Sequence, residues 1–206
     1  MTVHLVRLRG STLEHRYNIE GKVHAELEGL IIRTIDHFYA VTGHLATRLG
    51  VEKLYTVHLD SKGGNNYSRG ERLNLNTSNL TEWTITHELA HALDAAHGWQ
   101  LSQQMRAYTG SGFLFKALHY AHPSWKLFWY QVGSPPPPCG VDKNFNSVED
   151  FAETVTAYIF PDEAHRRAEA RGYAYEKWGY SHFHETPRGR FFADLIRPEE
   201  IKTPSY

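Results

Sequence analysis

Residues 84 to 100, TITHELAHALDAAHGWQ, carry two histidines four positions apart, His87 and His91, and a glutamate, Glu88, directly after the first. On an α-helix, positions i and i+4 lie one above the other on the same face, so two imidazoles at this spacing can share one cation. Glu88 stands one step round the helix, beside the cation rather than on it. There a carboxylate can take a proton from a water that the cation has acidified. The neighbours Leu89, Ala90, Ala92 and Leu93 are small or apolar, as in a core helix. Two histidines and a glutamate are costly there without a task. The expected cofactor is Zn2+, one per chain, with His87 and His91 as ligands and Glu88 as general base.

Two sources for a third ligand follow from the sequence. The string H-E-L-A-H-A-L-D-A-A-H matches the metzincin spacing H-E-x-x-H-x-x-G-x-x-H at every fixed position except the glycine, where Asp94 stands. That glycine lets the helix stop and swing the last histidine, here His97, back to the metal. Aspartate tolerates a left-handed conformation better than most residues. A helix running on through ALDAAHG and ending at Gly98 is the simpler reading, and it turns His97 away from His91 as a residue near a helix C-terminus. Metzincins also need a methionine turn, and the internal methionine, Met105, lies in LSQQMRAY, which reads as helix.

The other source is a second helix. SVEDFAETVTAY places Glu149 and Glu153 four apart on one face, among Phe151, Ala152, Val155 and Tyr158. Two glutamates facing a core need a cation or hydrogen bonds. One can ligate the metal while the other, a turn away, holds a ligand histidine by its second ring nitrogen. Glu149 and Asp150 also suit a helix first turn, where acids favour the dipole; that account does not cover Glu153.

HELAHALD followed some sixty residues later by EDFAE resembles the gluzincins related to anthrax lethal factor and the Pro-Pro endopeptidases, whose pattern runs H-E-x-x-H-A-x-D and then E-x-F-A-E. The resemblance covers roughly residues 50 to 200, and its two motifs are the specific part. It implies a zincin-like catalytic domain that hydrolyses peptide bonds, with His87, His91 and Glu149 as zinc ligands and Glu88 as general base. It also implies Glu153 and Asp94 as acids supporting the ligands. The ending TPRGRFFADL is similar to the last helix of such domains. The family's oxyanion-stabilising tyrosine, a few residues before the ligand glutamate, has no counterpart in CGVDKNFNS. Glu149 is the favoured third ligand and His97 the alternative.

Two histidines and a carboxylate leave zinc a fourth position for water, and peptide hydrolysis then needs a donor for the developing oxyanion. Tyr175, Tyr180, His182 and His184 in YAYEKWGYSHFHET are candidates, with Tyr173 and Tyr130 beside them. Simple packing also explains aromatic residues in such a stretch.

The elements that must position these groups divide along the chain. TVHLVRL, KLYTVHLD and ERLNLN alternate or cluster β-forming residues and read as strands, with the polar face of ERLNLN suited to a sheet edge that could pair with an extended peptide. Val23, Leu27, Leu30, Ile31, Ile35 and Phe38 fall at helical spacing in residues 22 to 49, one amphipathic helix with a break near Thr42-Gly43. SKGGNNYSRG reads as a polar loop or cleft flap. SPPPPCG is a stiff linker or a loop near the cleft. Asn146 or Ser147 caps the helix that Pro161 stops, and Pro187 opens a last helix. Strands early and helices late imply α+β, a small mixed N-terminal sheet with an edge strand lining the cleft, a central His-Glu helix and a mostly helical C-terminal lobe. One domain over residues 1 to 206 is expected, with lobes of about 1–98 and 99–206.

Composition narrows the partners. Lys and Arg number 22 against 23 Asp and Glu, without a basic stripe, so no nucleic acid or anionic membrane is expected. A single cysteine, Cys139, excludes an internal disulfide framework and a cysteine zinc knuckle. No apolar run reaches a membrane span and none reads as a signal peptide, which implies a cytoplasmic chain as encoded, or export by a non-classical route. A monomer acting on a peptide or protein substrate is expected. The rival from another class is a non-catalytic metal-binding or interaction module, for which Glu88 would be superfluous.

Overall fold

The computed structural model describes residues 2–7, 14–20, 25–48, 54–60, 67–69, 72–109, 146–170 and 180–197. Strands β1 (Thr2–Arg7) and β2 (Glu14–Glu20) precede a long helix α1 (Ala25–Arg48). Strands β3 (Leu54–Asp60), β4 (Tyr67–Arg69) and β5 (Arg72–Asn76) follow. The rest of the described chain is helical: α2 (Glu82–Ala96), α3 (Gln100–Tyr108), α4 (Ser147–Ile159), α5 (Pro161–Ala170) and α6 (Pro187–Ile196), with a 3-10 turn at Tyr180–Glu185.

The strands form one mixed sheet in the order β1-β2-β3-β5-β4. β1 and β2 are antiparallel, β3 runs parallel to both β2 and β5, and β4 closes the row antiparallel to β5. Three expectations are corrected here. ERLNLN is not an edge: β5 lies between β3 and β4, with Leu73 opposite both Val57 and Ser68. Its edge is covered by part of SKGGNNYSRG, where Tyr67–Arg69 forms the short outer strand instead of loop. The break near Thr42-Gly43 does not occur either. The Thr42 hydroxyl donates to the Phe38 carbonyl at 2.8 Å, and buried Phe38, Tyr39 and Leu45 hold α1 against the core on both sides of that point.

One core joins sheet and helices. Ile31, Ile35 and Phe38 of α1 meet Leu73 and Leu75 of β5, Ile85, Leu89 and Leu93 of α2, Phe151 and Val155 of α4, and Phe192 of α6. Burying a side chain of this size stabilises by about 1.5–3 kcal/mol, so the apolar stripes of α2 and α4 are what bring the two helices together. Pro161 ends one helix and begins the next: Phe160 closes α4, and α5 starts at the proline, whose missing N–H costs nothing in a first turn. No helix among the described residues is long and apolar enough to cross a membrane. The SPPPPCG stretch lies outside the described residues.

Candidate metal centre

α2 is held at both ends by its own sequence. Thr81, in extended backbone, accepts from the Thr84 N–H at 3.2 Å and starts the helix. At the other end His97 is the C-cap, and Gly98 takes the left-handed conformation at φ 61°. The Trp99 N–H donates to the Asp94 carbonyl at 2.8 Å and the Gly98 N–H to Ala95 at 3.0 Å, the paired bonds of a Schellman ending. α2 therefore runs straight through Asp94, which fixes His87, Glu88 and His91 on it and leaves His97 beyond its last turn. α4 begins with Asn146, whose side chain accepts from Val148 and Glu149 N–H groups at 2.8 and 3.2 Å. That cap places Glu149 in the first turn and Glu153 one turn further along.

Packed against each other, α2 and α4 bring His87, His91 and Glu149 together. The Nε2 atoms of His87 and His91 lie 3.0 Å apart, and Glu149 Oε2 lies 3.2 Å from the first and 3.3 Å from the second. Zinc–nitrogen bonds of about 2.0–2.1 Å at tetrahedral angles require donor atoms about 3.3 Å apart, so the three atoms fit one small cation. The rings of the two histidines stand edge-on, at 88°. On the far side of His87, Nδ1 lies 2.9 Å from Glu153 Oε1. A carboxylate there favours the proton on Nδ1, which would leave the Nε2 lone pair for a cation.

The charges agree with this assignment. Burial would lower His87, but its bonds to Glu149 and Glu153 and the charges of Glu153 and Glu88 lift it to about 10. Burial works to raise Glu149, yet the two histidines outweigh it and hold the carboxyl well below the usual range. Glu88 is 5% exposed, one oxygen has no partner, and burial pushes its carboxyl up against the opposing histidine charges. A buried carboxylate beside the group with one oxygen unbonded is chemically suited to accept a proton.

The other expected residues fall elsewhere. Asp94 supports neither histidine: Oδ1 accepts from the Leu101 and Ser102 N–H groups at 3.0 and 3.2 Å, and Oδ2 has no partner. α3 opens on Trp99, which offers no side-chain cap, and Asp94 supplies the missing acceptor from the preceding helix. His184 is not at the centre. Its Nε2 bonds the Tyr158 carbonyl at 3.0 Å, and Tyr158 sits nine residues past Glu149, half a helical turn out of phase, on the opposite side of α4. His182 is exposed in the same 3-10 turn. Tyr180 opens that turn; Tyr130, Tyr173 and Tyr175 lie outside the described residues. A separate pocket of about 460 Å³ sits toward the start of α2, between Trp83 and Phe160, and is not lined by His87, His91 or Glu149.

One pair escaped the sequence reading. Asp150, expected to serve only the helix dipole, is buried and pairs with buried Arg188 of α6, Nε to Oδ1 at 2.7 Å and a second nitrogen to Oδ2 at 3.0 Å. Its signal in the sequence was an arginine at i with Phe191 and Phe192 at i+3 and i+4, a charge on the buried face of the last helix. No protein-family model, curated protein or solved structure matches the chain.

Proposed function

We propose that the chain is a zinc-dependent endopeptidase of gluzincin type with a zincin-like catalytic domain. One observation carries this: two histidines of one helix and a glutamate of another converge within 3.3 Å of each other, with a buried carboxylate, Glu88, in the same turn as the first histidine and one of its oxygens unbonded. The side chains of His87, His91 and Glu149 keep 15, 11 and 26% of their surface in contact with solvent. A purely structural zinc site is closed by four protein ligands, whereas three ligands with an open side suit catalysis.

A cation held by His87, His91 and Glu149 would supply Lewis acidity for a scissile carbonyl and for water. The protein's own residues do the rest. Glu88 takes the proton as water attacks, then delivers it to the leaving amine. Glu153 keeps the His87 ring in the ligating tautomer. β4 and β5 pack against α2, and β4 offers the outer edge of the sheet, to which an extended peptide can add as a strand.

The test is zinc per chain after mild chelator washing, in the wild type and in Glu149→Ala and His97→Ala, followed by hydrolysis of peptide libraries beginning with proline-containing ones. One zinc in the wild type and in His97→Ala, lost in Glu149→Ala, is expected. Loss only in His97→Ala moves the protein to the metzincin arrangement. A wild type that binds no zinc overturns the reading.

A further inference from the structure

Glu149 contributes its carboxylate from the first turn of α4, the part of a helix most prone to fray. Its Asn146 cap is exposed, and a side-chain cap on an exposed turn restrains the backbone only modestly. The next residue is held far more tightly. Asp150 is 5% exposed and Arg188 2%, and two parallel charge-assisted bonds join them across 38 positions of sequence. A bidentate fork fixes the plane and direction of the carboxylate, not merely its distance.

Arg188 is itself anchored. Thr186 caps α6, donating its hydroxyl to the Phe183 carbonyl at 2.7 Å and accepting from Gly189 at 3.1 Å. At Gly189 a Cβ would lie 2.1 Å from the Phe183 carbonyl oxygen, so this turn packs backbone against backbone. Burying two charges is costly, and an apolar pair of similar volume would join α4 to α6 as well or better. The pair is therefore poorly explained as glue alone. Because successive residues on a helix project about 100° apart, locking Asp150 toward Arg188 sets the direction in which Glu149 leaves the same turn.

We propose that Asp150 and Arg188 are positioning residues for the metal centre: their buried fork fixes the rotation of the first turn of α4 and so aims the Glu149 carboxylate at His87 and His91. This inference rests on the metal-centre reading above. It makes ligand geometry on α4 dependent on α6, which contributes no ligand to the group.

The test uses the full chain with Zn2+ for affinity and Co2+ alone as the spectroscopic probe, since cobalt absorbs strongly in tetrahedral sites and weakly in octahedral ones. The informative variant is Asp150→Leu/Arg188→Met, which exchanges the ion pair for an apolar one and is expected to keep or raise the thermal midpoint of the metal-free protein. Zinc affinity should nonetheless fall about 10–100-fold, the range seen when groups supporting a ligand are removed, and the cobalt bands should weaken. Arg188→Lys keeps the charge and loses the fork. It should lower affinity in the same direction, and it carries the test if the double variant fails to fold. Wild-type affinity and cobalt spectrum in the folded variants overturn the proposal and leave the metal centre standing. A wild type that binds neither cation overturns the metal centre first.

Discussion

His87 Nδ1 lies 2.9 Å from Glu153 Oε1, while Nε2 of the same ring lies 3.2 Å from Glu149 Oε2. One imidazole is thus held between two acids of a single helix, four residues apart, each addressing a different nitrogen. Glu153 is 2% exposed and Glu149 is partly open to solvent, which agrees with the proposed split between a supporting and a ligating carboxylate. Glu153→Gln keeps an acceptor for the Nδ1 proton but removes the charge, and zinc affinity should fall about tenfold. Glu153→Ala should cost up to about 100-fold. Chelator competition measures both, and equal affinities in all three proteins would remove Glu153 from the centre.

Glu88→Gln should separate binding from turnover. The amide keeps the shape of the side chain and cannot accept the proton, so kcat should drop by about 10²–10⁴-fold while one zinc per chain is retained. Steady-state peptide hydrolysis beside metal content decides this, and unchanged turnover would assign the base elsewhere.

The metal-free protein should have a defined pH window of stability. His87 is raised from 6.5 to about 10, so its contribution is complete below pH 6.5 and disappears as pH rises through 10. Glu149 is depressed, so its contribution is complete above its ordinary 4.5 and disappears as pH falls. Glu88, raised by burial, begins to lose its contribution as pH rises above its ordinary 4.5. The melting temperature of chelator-treated protein should therefore peak between pH 4.5 and 6.5 and fall toward pH 10. Zinc binding should displace the His87 proton and tighten as pH rises over the same interval. Scanning fluorimetry across pH, with and without zinc, checks both slopes; a chelated protein whose stability rises from pH 6.5 to 10 contradicts the assignment.

Asp94→Ala should weaken the fold and leave the metal alone. It strips the buried Leu101 and Ser102 N–H groups of their acceptor, a loss of about 1–3 kcal/mol and several degrees in Tm. Zinc affinity of the folded protein should stay at the wild-type value. A large fall in affinity would instead return Asp94 to the role of a ligand support.

Gly189→Ala asks for room that does not exist. A methyl group there meets the Phe183 carbonyl oxygen at 2.1 Å and His184 backbone atoms at 2.7 and 2.9 Å, none of which is the far end of a flexible side chain. Overpacking of this kind costs about 1–3 kcal/mol or more. Denaturant unfolding should show it, and wild-type stability would mean that α6 shifts without resistance.

How far the sequence could be read depended on how local each signal was. His87, Glu88 and His91 are set by one helix's periodicity, and the Asn146 cap, the Gly98 stop and Pro187 in a first turn are short-range chemistry, so all were legible. Glu149 needed a second helix and was reached through motif spacing. The strand Tyr67–Arg69 was hidden in a glycine-rich stretch because its pairing with β5 is a tertiary fact, and that pairing turned an expected edge into an interior strand. Asp94 misled for a similar reason: its partners are the first N–H groups of the next helix, and no local pattern distinguishes a cap for α3 from a support for a histidine. Asp150 and Arg188 are 38 residues apart, beyond any periodicity.

The order of the chain gives that last separation a meaning in time. His87, His91 and Asp150 all leave the ribosome before Arg188 does, and at about 5–20 residues per second the 38-residue interval lasts roughly 2–8 s. For those seconds Asp150 lacks the Arg188 fork, and the turn that carries Glu149 lacks its link to α6. If the fork aims Glu149 as proposed, the three groups that could hold a cation come into register only after the last helix has been made.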